Sequence, residues 1–377
     1  VSTPRIEAIK LAQLEAYAAA PPPGLSPISR VRARAWAHNP HGEGDQVALL
    51  VGMLDGRVVG YLGLVPTLAR AGERVERVFW LSAFYTDPAH REAGVGSLLL
   101  MRALATGANL GASNSSELAR RTYQPLRFRA LGALSHFVFD AARLNHIGYP
   151  LRVLSRRPEA AALSARLSGM NDGLRAVTRE LGLAAMTRAL PRASRLEVRP
   201  VAAIDDALLE EADRARPAAR LVRDPALIRW MLERPWLTTD PRDDAPDYYF
   251  SDLREHFDFR CSLLVRPGDG AVRGFMILRR MRHRGVASVT LLDHHLVDPG
   301  DTAPLLAAVL DEAREYRADQ LVVSYDCAAP ILGSPVLSRC FREASRPFDL
   351  RLGGKSKLAP ALDRLHVSLA DGDSSFA

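Results

Sequence analysis

The chain has 377 residues, with 50 Lys+Arg against 43 Asp+Glu for a formal charge of +7, and is 47% hydrophobic and 25% charged. That length is a prior for two domains of roughly 150 residues, and the composition excludes a disordered chain. Three scattered cysteines (Cys261, Cys327 and Cys340) exclude a disulfide scaffold and a zinc ribbon, and no apolar run nears the roughly 18 residues of a membrane span.

The first twenty residues carry Glu7, Lys10, Gln13 and Glu15 where a secretory leader needs an apolar core, so a cytoplasmic location is expected. Residues 46–53 and 57–64 are β-rich runs around Asp55-Gly56, a strong hairpin signal because glycine accepts the positive φ of a tight turn. A third strand is predicted over 77–85 and stops at Thr86-Asp87-Pro88, since proline cannot continue a ladder. Helices are predicted over 97–104 and 115–123, and another strand over 133–139. From 158 to 190 Ala, Leu and Arg recur at helical spacing, broken by Gly169 and Asn171-Asp172-Gly173, which predicts two connecting helices.

After Pro191 the β-α pattern restarts as a diverged repeat. Trp36 with Asn39-Pro40 matches Trp230 with Arg234-Pro235, Asp55-Gly56 matches Asp269-Gly270, and WLSAFYTDP at 80–88 matches LLDHHLVDP at 291–299. Self-similarity at domain length means duplication rather than a solenoid. The expected domains are therefore 1–145, a helical connector over 146–194, and 195–377. Residues 1–145 carry 16 basic and 11 acidic residues, the connector 8 and 3, and 195–377 carry 26 and 29. The positive field thus lies on the first half and suits an anionic small ligand; no Arg-rich tract with interleaved aromatics suggests nucleic acid.

The chemistry sits after the third strand, where Arg91-Glu92-Ala93-Gly94-Val95-Gly96-Ser97 opens into a helix. Two glycines permit close backbone approach, and the first-turn amides and the helix dipole favour a pyrophosphate. The nicotinamide-cofactor fingerprint is excluded by the missing third glycine, and a P-loop by the missing Gly-Lys-Ser/Thr.

At these residues the chain resembles the GCN5-related N-acetyltransferase (GNAT) superfamily, whose signature is Arg/Gln-x-x-Gly-x-Gly/Ala after a strand that ends in a proline-containing turn. The resemblance covers about residues 45–140. It implies an α/β (α+β) fold with mixed central sheets, here as two tandem acyl-CoA N-acyltransferase-type domains of which the second is degenerate. It also implies acyl-coenzyme A as cosubstrate, with the pyrophosphate on residues Arg91, Glu92, Ala93, Gly94, Val95, Gly96 and Ser97. Pantetheine then lies along Phe84, Tyr85 and Thr86 like an added strand. The family's next motif appears as Asn114…Ala119-x-x-x-Tyr123-x-x-x-Arg127-Phe128, with Arg127 replacing the usual glycine. It implies cofactor contact at Asn114, and Tyr123 as the acid that protonates the departing thiolate. The alternative for Tyr123 is a packed helix aromatic. Arg120, Arg121, Arg127 and Arg129 are either contacts for the adenosine 3′-phosphate or a solvated basic face.

The predicted third strand offers no carboxylate as general base, and Glu73 and Glu76 read as solvated turn residues. The repeat's equivalent strand has Asp293-His294-His295, where alternation puts Asp293 and His295 on one face. An Asp-supported His295 can deprotonate an ammonium; a structural histidine pair is the competing reading. No metal is expected, because these residues and His283 lack ligand spacing. The second copy replaces the cofactor loop with Gly300-Asp301-Thr302-Ala303-Pro304, where Asp301 or Thr302 should cap the helix and Asp301 should repel a phosphate. The cysteines read as small buried hydrophobes. Residues 365–373 alternate like a final strand with an acidic tip at Asp371, and resemble the ends of tandem GNAT-like proteins, some of them from envelope or amino-sugar pathways.

The expectation is an N-acetyltransferase that moves an acetyl group from acetyl-CoA to the primary amine of a small molecule by direct attack, with an amino sugar or envelope precursor as the hinted acceptor. Two rivals stand beside it: a non-catalytic acyl-CoA sensor or scaffold, and an aminoacyl transferase of the cell-wall type.

Overall fold

The computed structural model describes residues 3–113, 117–141, 161–191, 196–245, 247–358 and 365–371. From the N-terminus come β1 (Arg5–Lys10), α1 (Leu14–Ala19), α2 (Arg30–Ala37), β2 (Val47–Leu54), β3 (Arg57–Ala71) and β4 (Arg74–Thr86). Then follow α3 (Val95–Leu104), β5 (Asn109–Ser113), α4 (Glu117–Tyr123), β6 (Arg129–Asp140) and α5 (Ala161–Ala189). The next elements are β7 (Glu197–Val201), α6 (Asp206–Ala215), β8 (Ala219–Leu221) and α7 (Pro225–Glu233). Strands β9 (His256–Val265), β10 (Val272–His283) and β11 (Val286–Leu296) precede α8 (Thr302–Glu315) and β12 (Gln320–Ser324). Helices α9 (Ala328–Leu332) and α10 (Pro335–Cys340) lead into β13 (Phe341–Arg351). The first hairpin closes through Asp55 and Gly56, both at positive φ (50° and 73°), the combination that matches the twist of its strands.

Two compact units result. The first contains Val1–Leu134, Asp206–Arg254 and Arg346–Ala377; the second contains Ser135–Asp205 and Glu255–Ser345. They do not follow the consecutive boundaries 1–145, 146–194 and 195–377, for two physical reasons. Helices α6 and α7, with the loop after them, pack into the first unit: the indole N–H of Trp230 donates to the carbonyl of Ala35 at 2.7 Å, and Arg32 forms a buried pair with Asp252. Trp230 is therefore no counterpart of Trp36 in a second copy. Strands are also exchanged: the end of β13 pairs with β5 (Phe348↔Ser113, Arg351↔Leu110), while residues 136–140 of β6 pair with β12.

The first unit's sheet runs β1-β2-β3-β4-β5 and then residues 348–351 of β13, with β8 also on β3; β4 and β5 are parallel and the other pairs antiparallel. Its main cluster joins Leu62, Leu64 and Leu81 to Leu99, Leu100 and Ala103 of α3. The second unit's sheet runs β7-β9-β10-β11-β12 and then β6, with β11 and β12 parallel. Phe137, Leu278, Leu291, Leu305 and Val309 lie in its core.

Further local differences from the sequence reading have simple causes. The connector contributes one continuous helix, α5, rather than two; a helical glycine costs only about 1 kcal/mol against alanine, which is too little to break a long helix. Residues 142–160 and 192–195 of that region lie outside the described residues. Glu76 is no solvated turn residue: it accepts from Asn109 (3.1 Å), Ser356 (2.7 Å) and the amide of Lys357 (2.7 Å). Residues 365–371 form no strand beyond a single bridge at His366, and Asp371 is buried against the guanidinium of Arg223 at 3.0 Å.

Candidate functional site

Strand β4 carries a bulge at its functional end. Tyr61 pairs with Tyr85 and Gly63 with Ser82, so Ala83 and Phe84 oppose the single residue Leu62. Ala83 sits at φ 51°, an uncommon conformation for a residue with a Cβ, and the bulge bends the strand. Only Val78, Phe79 and Trp80 pair with β5; from 81 to 86 that edge of β4 has no strand partner among the described residues. Unpaired N–H and C=O groups on such an edge are a template for an extended ligand.

The loop after β4 is more structured than its glycines suggest. Pro88–Ala93 form a 3-10 turn anchored by Asp87, whose carboxylate accepts from the amide of Ala89 (2.9 Å) and lies 3.1 Å from His90 Nδ1. Those contacts hold the Asp87 carboxyl below its ordinary range. Gly94 then takes a left-handed conformation (φ 73°, ψ 12°), and its own amide donates to the carbonyl of Arg91. Helix α3 has no side-chain cap, and its first backbone bond runs from the amide of Leu98 to the carbonyl of Gly94. Helix geometry therefore leaves the amides of Val95, Gly96 and Ser97 without intrahelical partners. The available donors are these three rather than the whole run from Glu92. Arg91, beside them, is exposed.

A Cβ on Gly96 would lie 3.0 Å from the Thr86 hydroxyl and 3.6 Å from the Phe84 ring, so the first turn of α3 rests directly on the free end of β4. Phe84, Thr86 and Gly96 are thus brought together. Tyr85 faces the other side, against Tyr61 and stacked on Tyr249 at 4.2 Å; Tyr249 is 65% exposed.

Tyr123 ends α4, is 4% exposed, and stacks on Phe128 with centroids 4.8 Å apart. Arg127 adopts φ 64°, ψ 27°, so the glycine conformation of the motif is kept although the glycine is not. Asn114 lies outside the described residues. Asp293 and His295 belong to the second unit, on β11 opposite Ile277 and Phe275. Asp293 is buried and accepts from the amide of His294, and His295 lies near the Phe275 ring at 6.2 Å.

One carboxylate escaped the sequence reading. Asp349 of β13 pairs with Ala112 of β5, and cross-strand partners share a face, so it lies on the face where Ala112 packs with Tyr123. It is 8% exposed, and its Oδ2 is buried without a hydrogen-bond partner among the described residues. Burial pushes its carboxyl up, partly countered by Arg120. A raised folded-state pKa means that the charged form is the costly one, so this group contributes stability at low pH that is lost as pH rises through the raised value. Asp349→Asn should accordingly gain stability relative to the parent as pH rises above about 4, the ordinary aspartate value. Denaturant midpoints across pH check this, and a constant difference would remove the buried-charge account.

The second unit's counterpart loop differs as expected in charge but not in detail. Asp301 makes no side-chain cap to α8; its carboxylate is taken by Arg273 at 2.9 Å, which also meets Asp298 at 3.2 Å. The thiols of Cys261 and Cys327 are pushed up to about 11 and about 12 by burial, which makes them poor nucleophiles. Among the described residues no cluster of His, Cys, Asp or Glu could hold a metal, and no helix is long and apolar enough to cross a membrane.

A bulged β4 with a free edge, leading through a turn into an uncapped helix, is matched in sequence: residues 11–126 fit the model of the Acetyltransferase (GNAT) family. This segment belongs to the GNAT family. The GNAT-like fold extends over nearly the whole chain. A GCN5-related N-acetyltransferase from Anabaena variabilis is 12% identical, with a TM-score of 0.52 covering 93% of this chain and 73% of that one. A probable N-acyltransferase of unknown function from Enterococcus faecalis is 11% identical (TM-score 0.52, 94% and 73% covered). Saccharomyces cerevisiae N-myristoyltransferase, solved with myristoyl-CoA, is 10% identical (TM-score 0.52, 93% and 83% covered). At such identities the likeness is one of fold. No curated protein matches the sequence.

Proposed function

We propose that this GNAT-fold chain is an N-acetyltransferase that moves an acetyl group from acetyl-CoA to the primary amine of a small molecule. The observation that carries the proposal is the free edge of β4 at 81–86, lying against the uncapped first turn of α3. Pantetheine hydrogen-bonds to that edge as an added strand, and the pyrophosphate takes the amides of Val95, Gly96 and Ser97, with Arg91 adding positive charge. Tyr85, stacked on exposed Tyr249, favours a cationic amine as acceptor.

The neutral amine attacks the thioester carbonyl, a β4 backbone amide polarises the carbonyl oxygen, and the C–S bond breaks as the Tyr123 hydroxyl gives its proton to the thiolate. The acceptor's ammonium gives up a proton to a base before it attacks, so that the attacking nitrogen is neutral.

Incubating the full chain with acetyl-CoA and a panel of primary amines, with free thiol release as the readout, tests the activity itself. Amine-dependent release above the hydrolysis rate is expected. Tight CoA binding without turnover on any amine would make the protein a sensor instead.

A further inference from the structure

The second unit contains a cavity that acyl transfer does not use. Arg175 and Arg179 of α5, Arg282 and Arg284 at the β10–β11 turn, Arg317 after α8 and Asp319 of β12 surround about 400 Å³.

The single carboxylate of the cavity is already satisfied. Asp319 accepts from Arg175 Nε at 2.9 Å, from Arg179 at 3.4 Å and from the amide of Ala287 at 3.0 Å. Even against the cost of burial, those partners hold its carboxyl below the ordinary range, so it stays charged and spoken for. Among the described residues no carboxylate pairs with Arg282, Arg284 or Arg317. Arg179 Nε is buried and has no hydrogen-bond partner there either. Arg284 and Arg317 also occupy left-handed backbone positions (φ 51° and 55°), where glycine or asparagine would be the undemanding choice. Asp319, Glu180 against Arg179 and Glu255 on the Gly285 amide offset part of this charge; the like charges that remain repel, and a polyvalent anion relieves that repulsion.

We propose that this cavity is a binding site for a small molecule bearing two or three linked phosphoryl groups. Guanidinium groups match phosphate oxygens in bidentate geometry, and the volume exceeds what one phosphate fills. The site is separate from the anion-binding turn of α3, which belongs to the first unit.

Calorimetric titration of the full chain with inorganic tripolyphosphate tests the assignment. With coenzyme A saturating, so that the turn before α3 is occupied, one saturable site is expected in the parent. Arg284→Ala combined with Arg317→Ala should weaken binding at least tenfold, and the charge-preserving pair Arg284→Lys with Arg317→Lys less than that. Both positions are exposed, so folding is not at risk; Arg317→Gln alone, expected to weaken binding by a smaller factor, gives a second, milder test. Gly94→Glu, which alters the first unit's turn, should leave tripolyphosphate affinity unchanged. Loss with Gly94→Glu and retention in the arginine double variant would move the anion to α3 and overturn the proposal. So would the absence of saturable binding, or a short RNA that binds the cluster more tightly than tripolyphosphate.

Discussion

Gly94→Glu is expected to reduce coenzyme A affinity by about a hundredfold or more, because it removes a backbone geometry and adds a charge at the same point. At φ 73° a side chain costs about 1–2 kcal/mol in the left-handed region, which loosens the turn that aims the amides of Val95, Gly96 and Ser97. Each hydrogen bond from those amides to a charged oxygen is worth about 1.5–3 kcal/mol, so losing one or two already reaches the predicted loss. The new carboxylate also competes with the pyrophosphate for the same donors and repels it. The fold itself should survive. A Cβ at Gly94 meets nothing within 4 Å, and an acidic group at a helix N-terminus stabilises by about 0.3–1 kcal/mol. Gly94→Ala carries the backbone strain without the charge and should lose far less affinity. Equal losses in the two variants would assign the effect to backbone geometry, and retained binding in Gly94→Glu would refute the pyrophosphate assignment.

What was legible in the sequence was local. Asp55-Gly56 announces its hairpin because two adjacent residues determine a two-residue turn. The loop before α3 is legible for the same reason, since proline, glycine and helix follow one another in a dozen residues. Even there, the 3-10 turn over Pro88–Ala93 was invisible, and it consumes part of the chain that glycines alone would leave open. Arg127 shows the opposite case: a departure from the motif that the backbone ignores by holding an arginine in the glycine conformation.

Long-range exchange was not legible. Nothing near residue 349 says that its partner is Ala112, and strand β6 reads as a plausible last strand of the N-terminal domain although residues 136–140 pair with β12. A periodicity argument establishes that a strand exists and which residues share a face; it carries no information about which edge it joins. Asp349 was missed for this reason. The pairing of Trp36 with Trp230 as copies failed in the same way, since both indoles pack in one unit and Trp230 donates to the helix that carries Trp36.

Tyr123→Phe is the second variant with a large expected effect: a fall in kcat of about a hundred- to ten-thousandfold, the range for loss of a positioned general acid. The phenyl ring keeps the stack on Phe128 and the 4% exposure of the parent side chain, so packing is conserved and CoA affinity should not change. What is lost is one O–H, which in a purely structural role is worth about 0.5–1.5 kcal/mol of stability and nothing in rate. The two roles also separate by leaving group. If Tyr123 protonates the thiolate, the deficit should shrink when the thioester carries a more acidic thiol, because such a thiol departs without its proton. A deficit independent of the thiol would mean that the hydroxyl orders the site rather than donating to sulfur. An unchanged rate with a competent amine would leave Tyr123 as a packed aromatic, and the search for the acid would turn to other groups near the end of β4.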